Sequence, residues 1–201
     1  MLRKIALDLV SDDYGLGKHR TAVLPIYIQL RSWQDNQTVV MVLQRSVSQS
    51  SGRWFADSIT ELASKGRLVI LFDGMDEVRP NVRQELLARI REFTNSYPSS
   101  QIIVSTRPNS YSGELEEFEH IRICPFDFNQ IREFSFHRLH RKKSWRSFVS
   151  CLRESEDIGS VVGNPLFLSL AVFLYERTGL VPSNSAQLIR DYVPHLTETW
   201  D

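Results

Sequence analysis

Three carboxylates fall within five residues of this chain, and they are the side chains best suited to chemistry. The stretch 68–78 reads LVILFDGMDEV: an apolar run ends in Asp73, Gly74 follows, and then Asp76 and Glu77. In parallel α/β sheets ligands gather at the carboxyl ends of strands, which is where Asp73 falls if 67–73 is a strand. Gly74 lets the backbone turn away with no side chain in its path. Mg²⁺ is a hard cation that takes one or two carboxylates, with waters and phosphate oxygens completing its shell. A further carboxylate beside it can orient or deprotonate an attacking water. Acids at strand ends can also simply cap loops and face water. An apolar run ending in Asp-Gly-x-Asp-Glu favours the chemical reading.

A second stretch, QIIVSTRP at 101–108, ends a buried run in Ser105, Thr106 and Arg107. Arginine is always charged and donates in a fork, so Arg107 at a neighbouring strand end can reach a phosphate or the attacking water. The competing reading is an ion pair with a local acid such as Glu77. A third stretch, GNPLFLSLAVFLYERTG at 163–179, carries Asn164, a good helix cap, and Pro165, a good first helical residue. Gly179 suits its end. On residue chemistry alone this is a core helix. The basic run 137–146, with His137, Arg138, His140, Arg141, Lys142, Lys143 and Arg146, can touch nucleic acid. A solvated helix face is the preferred reading, and no third ligand joins His137 and His140 to make a metal site.

The elements that must position these residues follow from periodicity. Residues 2–10 place Leu2, Ile5, Ala6 and Leu9 on one helical face, and 11–22 are a polar loop. VLPIYIQL at 23–30 and RLVILFD at 67–73 read as buried strands; the second suits the centre of a parallel sheet covered on both faces. Helices are predicted at 38–47, 54–65 and 81–93, the last with Asn81 as its cap. Strands at 101–106 and 121–124 and a helix from Asn129 complete the alternation. This order implies an α/β fold with a parallel sheet and right-handed crossovers. Beyond about residue 140 only helices are predicted, at 144–157, 165–177 and 185–199. The division expected is a 1–140 core and a 141–201 helical subdomain.

Composition sets the limits. A chain of 201 residues with 42% hydrophobic and 10% aromatic residues can bury a core. Lys+Arg and Asp+Glu are both 24, so the net charge is zero and argues for neither nucleic acid nor an anionic membrane. Cys124 and Cys151 lack metal-type spacing. The apolar stretch 161–175 is too short to span a bilayer and contains Gly163-Asn164-Pro165. A cytoplasmic protein is expected.

Taken together and in order, LVILFDGMDEV, IIVSTRP and GNPLFLSLA resemble the NACHT branch of the STAND class of P-loop NTPases. VLPIYIQLR is similar to the strand before the acidic motif, and ICPFDFNQIREF to the segment after the arginine strand. The resemblance implies an ATP- or GTP-dependent, Mg²⁺-requiring switch that self-oligomerises on activation and acts in defence or signalling. It implies that Asp73 is the Walker B acid holding Mg²⁺ through water. Asp76 and Glu77 would position the hydrolytic water, with Glu77 as base. Arg107 would be the sensor arginine, and Pro165 would lie against the nucleotide base. The family's G-x-x-x-x-G-K-[ST] loop, whose amides cradle phosphate, has no counterpart. Gly15-Leu16-Gly17-Lys18 has Asp12 in place of the first glycine and His19 in place of the hydroxyl. The expectation is a NACHT core that lacks its first strand and phosphate loop, marginally stable and a poor ATPase on its own. The alternative is a non-catalytic remnant or interaction module.

Overall fold

Five consecutive apolar residues suit a strand covered on both faces. The computed structural model, which describes residues 1–10, 23–51, 56–139 and 145–197, places Leu68–Phe72 at that position, all buried. Among the described residues the sheet has three parallel strands in the order β1 (Leu24–Gln29), β2 (Leu68–Asp73), β3 (Gln101–Val104). The register sets Gln29 opposite Asp73 and Phe72 opposite Val104. Gly15–His19, the loop 11–22 around them, and His140–Lys143 lie outside the described residues.

Strand alternation sends successive side chains to opposite faces. Leu68, Ile70 and Phe72 join the larger core with Ile26, Ile28 and Leu30. Helices α2 (Val39–Ser51), α3 (Ile59–Ser64) and α4 (Pro80–Ser96) cover it through Val39, Leu43, Ile59, Leu86 and Ile90. Val69 and Leu71 point the other way, onto α1 (Leu2–Val10), where Leu2 is buried among Ile5, Ala6, Leu9 and Tyr27. Asp73 shares the parity of Val69 and Leu71, so it emerges on the α1 face. Helix α4 begins two residues earlier than a cap at Asn81 would start it: Arg79 stands at the cap and Pro80 is the first residue, where a missing N–H costs nothing.

The predicted strand at 121–124 is absent. Ile121 and Ile123 are 80% and 67% exposed, and residues 120–127 form no ladder. Apolar side chains alone do not make a strand, because its N–H and C=O groups need a paired neighbour.

The chain divides into two compact units, Met1–Glu119 and His120–Asp201. The second consists of helices α5 (Phe128–Leu139), α6 (Trp145–Glu154), α7 (Glu156–Val161), α8 (Pro165–Thr178) and α9 (Ser185–Thr197). Their core holds Ile131, Phe148, Leu152, Leu168, Val172 and Leu188. The stretch predicted at 144–157 is thus two helices, α6 and α7. Helix α8 starts as its sequence requires: the Asn164 side chain accepts from the Leu166 N–H at 2.9 Å, Pro165 is the first residue, and Gly179 closes the end at φ 74°. Asn164→Ala is expected to cost about 1 kcal/mol of stability, read as a lower urea midpoint with an unchanged slope.

Candidate functional site

The site is built at the carboxyl end of β2. The ladder between β2 and β3 ends at Phe72 and Val104, but backbone pairing continues beyond it. The Ser105 N–H donates to the Phe72 carbonyl at 2.9 Å, and the Met75 N–H to the Ser105 carbonyl at 2.9 Å. Gly74 makes the turn between them in the left-handed region, at φ 81°. A Cβ there would stand 3.2 Å from the exposed Glu77 side chain, which can give way, so it is the left-handed backbone that calls for glycine.

This folding delivers two hydroxyls to Asp73. Ser105 Oγ donates to Asp73 Oδ1 at 2.5 Å, and Tyr27 Oη, from β1, donates to Asp73 Oδ2 at 2.6 Å. The Gly74 N–H in turn donates to Ser105 Oγ at 3.0 Å, fixing that hydroxyl. Each carboxylate oxygen therefore accepts a hydrogen bond and keeps further lone pairs. The Ser105 and Tyr27 hydroxyls hold Asp73 below the ordinary aspartate range; burial opposes them, and Arg3 adds attraction. Hydrogen bonds to the charged form favour it.

The sign of the pH dependence follows. A carboxylate whose pKa is lower in the folded state contributes stability above its unfolded pKa and loses it as pH falls through the folded value. Ser105→Ala is expected to raise the Asp73 midpoint in an NMR carboxyl titration. It should also leave less stability to lose on acidification.

Asp76 and Glu77 lie in the 3-10 turn Met75–Glu77 that follows Gly74. They have different surroundings. Asp76 accepts from the Arg107 N–H at 3.2 Å and from Arg107 Nε at 3.1 Å. Glu77 is exposed; its N–H donates to the Gly74 carbonyl at 3.0 Å, and among the described residues its carboxylate has no hydrogen-bond partner. The local acid that pairs with Arg107 is thus Asp76. Arg107 itself is 78% exposed, so the pair is worth little to stability and the guanidinium faces solvent. The loop after it is strapped to α4: Arg83 pairs with Glu114 at 2.8 Å and Arg91 with Glu117 at 2.7 Å.

Asp73, Asp76, Glu77 and Arg107 are thus brought together at one strand end. Pro165 belongs to the other compact unit, as the first residue of α8. Ser105 and Tyr27 are the partners that sequence reasoning missed. Tyr27 reads as an apolar filler of β1, and only the parity of Tyr27, Gln29 and Asp73 marks it. Among the described residues no three His, Cys, Asp or Glu side chains converge on a metal position. That fits Mg²⁺, which uses one or two protein carboxylates and fills the rest with water and phosphate oxygens. An all-protein cage is not what this donor set offers.

Among the described residues no helix is long and apolar enough to cross a membrane. No curated protein matches the chain. The model of the NACHT domain matches residues 1–142, more than half of the sequence. With its parallel α/β sheet and an acidic turn at the end of the central strand, the chain belongs to the NACHT family of nucleotide-binding P-loop NTPases.

Proposed function

We propose that the turn Asp73–Glu77 is the Mg²⁺-and-water half of a nucleotide site, and that the protein works as an ATP- or GTP-dependent signalling switch. The observation that carries this reading is the state of Asp73. It is an anion pinned by two hydroxyls at the end of a buried central strand, with two more acids in the next turn. Mg²⁺, when bound, supplies charge neutralisation of the phosphate oxygens. Asp73 would be the residue that holds it. Glu77, uncommitted to any partner described, takes the proton of the attacking water. Arg107 sits on Asp76 until a phosphate competes for its guanidinium. In the helical unit, Pro165 is assigned to the nucleotide base by resemblance to the family. Self-oligomerisation on activation, a cytoplasmic location and a role in defence belong to the same reading.

The phosphate-gripping string G-x-x-x-x-G-K-[ST] does not occur in these 201 residues. Slow turnover and weak binding are therefore expected of them alone, and the test is binding. Fluorescent analogues of ATP and GTP are titrated into the protein in Mg²⁺ and again in EDTA. Anisotropy that rises in Mg²⁺ and falls back in EDTA supports the reading. Equal signals in both, or none, would leave a non-catalytic interaction module as the better account.

A further inference from the structure

Asp73 is the end of a longer polar chain. Arg31 Nη2 donates to Gln29 Oε1 at 3.1 Å, and Gln29 Nε2 donates to Tyr27 Oη at 3.5 Å. Tyr27 Oη passes its own hydrogen to Asp73 Oδ2 at 2.6 Å. Every donor in this chain points the same way, toward the carboxylate. Bonds aligned in this manner polarise one another. The Tyr27 ring is held as well. The Arg3 guanidinium of α1 lies over it, 5.1 Å from the centroid, and the ring packs against the cluster of Leu2, Val69 and Leu71 that Ile5, Ala6 and Leu9 of the same helix also cover. A tyrosine confined on its face by α1 and at its tip by a carboxylate has little freedom left.

We propose that Tyr27 is a positioning residue, tying α1 to the Asp73 carboxylate and setting which of its oxygens and lone pairs are presented to a divalent cation. This rests on the reading of Asp73 as the Mg²⁺ ligand. Two geometric facts carry it. Asp73 Oδ1 and Oδ2 are held separately, by Ser105 from one neighbouring strand end and by Tyr27 from the other, so the carboxyl group cannot rotate without breaking one of them. Tyr27 is also the partner of the pair that touches α1, so a shift of that helix acts on the Asp73 oxygens through the ring. Groups that hold a metal's ligands commonly govern affinity without touching the metal.

The experiment is a titration of the whole chain into Mn²⁺·ATP, followed by water-proton relaxation enhancement, which separates the protein-bound complex from Mn²⁺·ATP alone. Asp73→Ala, Tyr27→Phe and a variant carrying 4-aminophenylalanine in place of Tyr27 are compared, each with a thermal melt. Tyr27→Phe is expected to weaken Mn²⁺ binding by about 10–100-fold with a melt like the parent's. The 4-aminophenylalanine variant, which restores a donor at the same place, is expected to recover most of that loss. If Asp73→Ala abolishes binding but Tyr27→Phe leaves it unchanged, the role given to Tyr27 is overturned while the metal site stands. If Asp73→Ala changes nothing, the metal reading falls and the proposal with it. Should Tyr27→Phe also melt earlier, the donor-bearing variant decides: recovered affinity supports positioning by the hydroxyl, and unrecovered affinity overturns it.

Discussion

Phe72→Ala is expected to lower the unfolding free energy by about 3–5 kcal/mol, the usual cost of emptying a large aromatic site in a core. The ring is fully buried on the central strand and meets Trp33 edge to face, with centroids 6.5 Å apart. It lies among Met75, Leu86 and Ile28, contributed by a turn, a helix and a second strand. Rigid neighbours of that kind collapse poorly into a void, so the loss belongs at the upper end of the range. The Phe72 carbonyl also accepts from the Ser105 N–H, so loosening this residue loosens the hydroxyl that holds Asp73. Urea unfolding measures the effect as a fall in midpoint at constant slope. Leu7→Ala is the control. That side chain is 67% exposed, and its loss should stay within about 0.5 kcal/mol. A Phe72→Ala midpoint close to the parent's would mean that the sheet is not covered as described.

Glu77→Gln is expected to lower Mg·ATP turnover by about 100- to 10,000-fold, the span attributed to a positioned general base, while leaving nucleotide affinity nearly unchanged. The choice of Glu77 over Asp76 follows from their partners. Both oxygens of Asp76 are already engaged by Arg107, so it is not free to turn toward a water. Glu77, in the same turn, has an exposed carboxylate with no partner among the described residues. Glutamine keeps the size and the hydrogen-bonding reach and loses only the basicity. The assay requires a polypeptide that joins a phosphate-binding loop to these residues. Asp76→Asn should behave differently: it weakens the hold on Arg107, and its effect should appear in the response to the γ-phosphate. Equal losses from the two variants, or a larger loss from Asp76→Asn, would exchange their roles.

How much of this was legible in the sequence depended on where the determining contacts lie. Strand β2 and its terminal acid were readable because burial on both faces leaves an unbroken apolar run, and the acid after it interrupts that run abruptly. The turn at Gly74 was readable because only glycine sits comfortably at φ 81°. The bonds that govern Asp73 were not readable. Ser105 is 32 residues away in the chain and Tyr27 is 46, and they meet Asp73 only through the parallel register. The segment around Ile121 and Ile123 misled for the converse reason. Its composition suits a strand, yet a strand also depends on a partner, and apolar content carries no information about one. The pairing of Arg107 with Asp76 in place of Glu77 is set by the tight turn over 75–77, a matter of one residue in spacing.

The central claim is that a divalent cation with its nucleotide sits at the carboxyl end of β2. The most direct measurement is paramagnetic broadening of amide signals in the ¹⁵N-labelled chain, as Mn²⁺ is added below stoichiometry in the presence of ATP. The account predicts that the amides of Asp73, Gly74, Ser105 and Arg107 broaden first, and that Asp73→Asn removes this pattern while the rest of the spectrum is kept. Broadening centred elsewhere, or the same pattern surviving in Asp73→Asn, would contradict it.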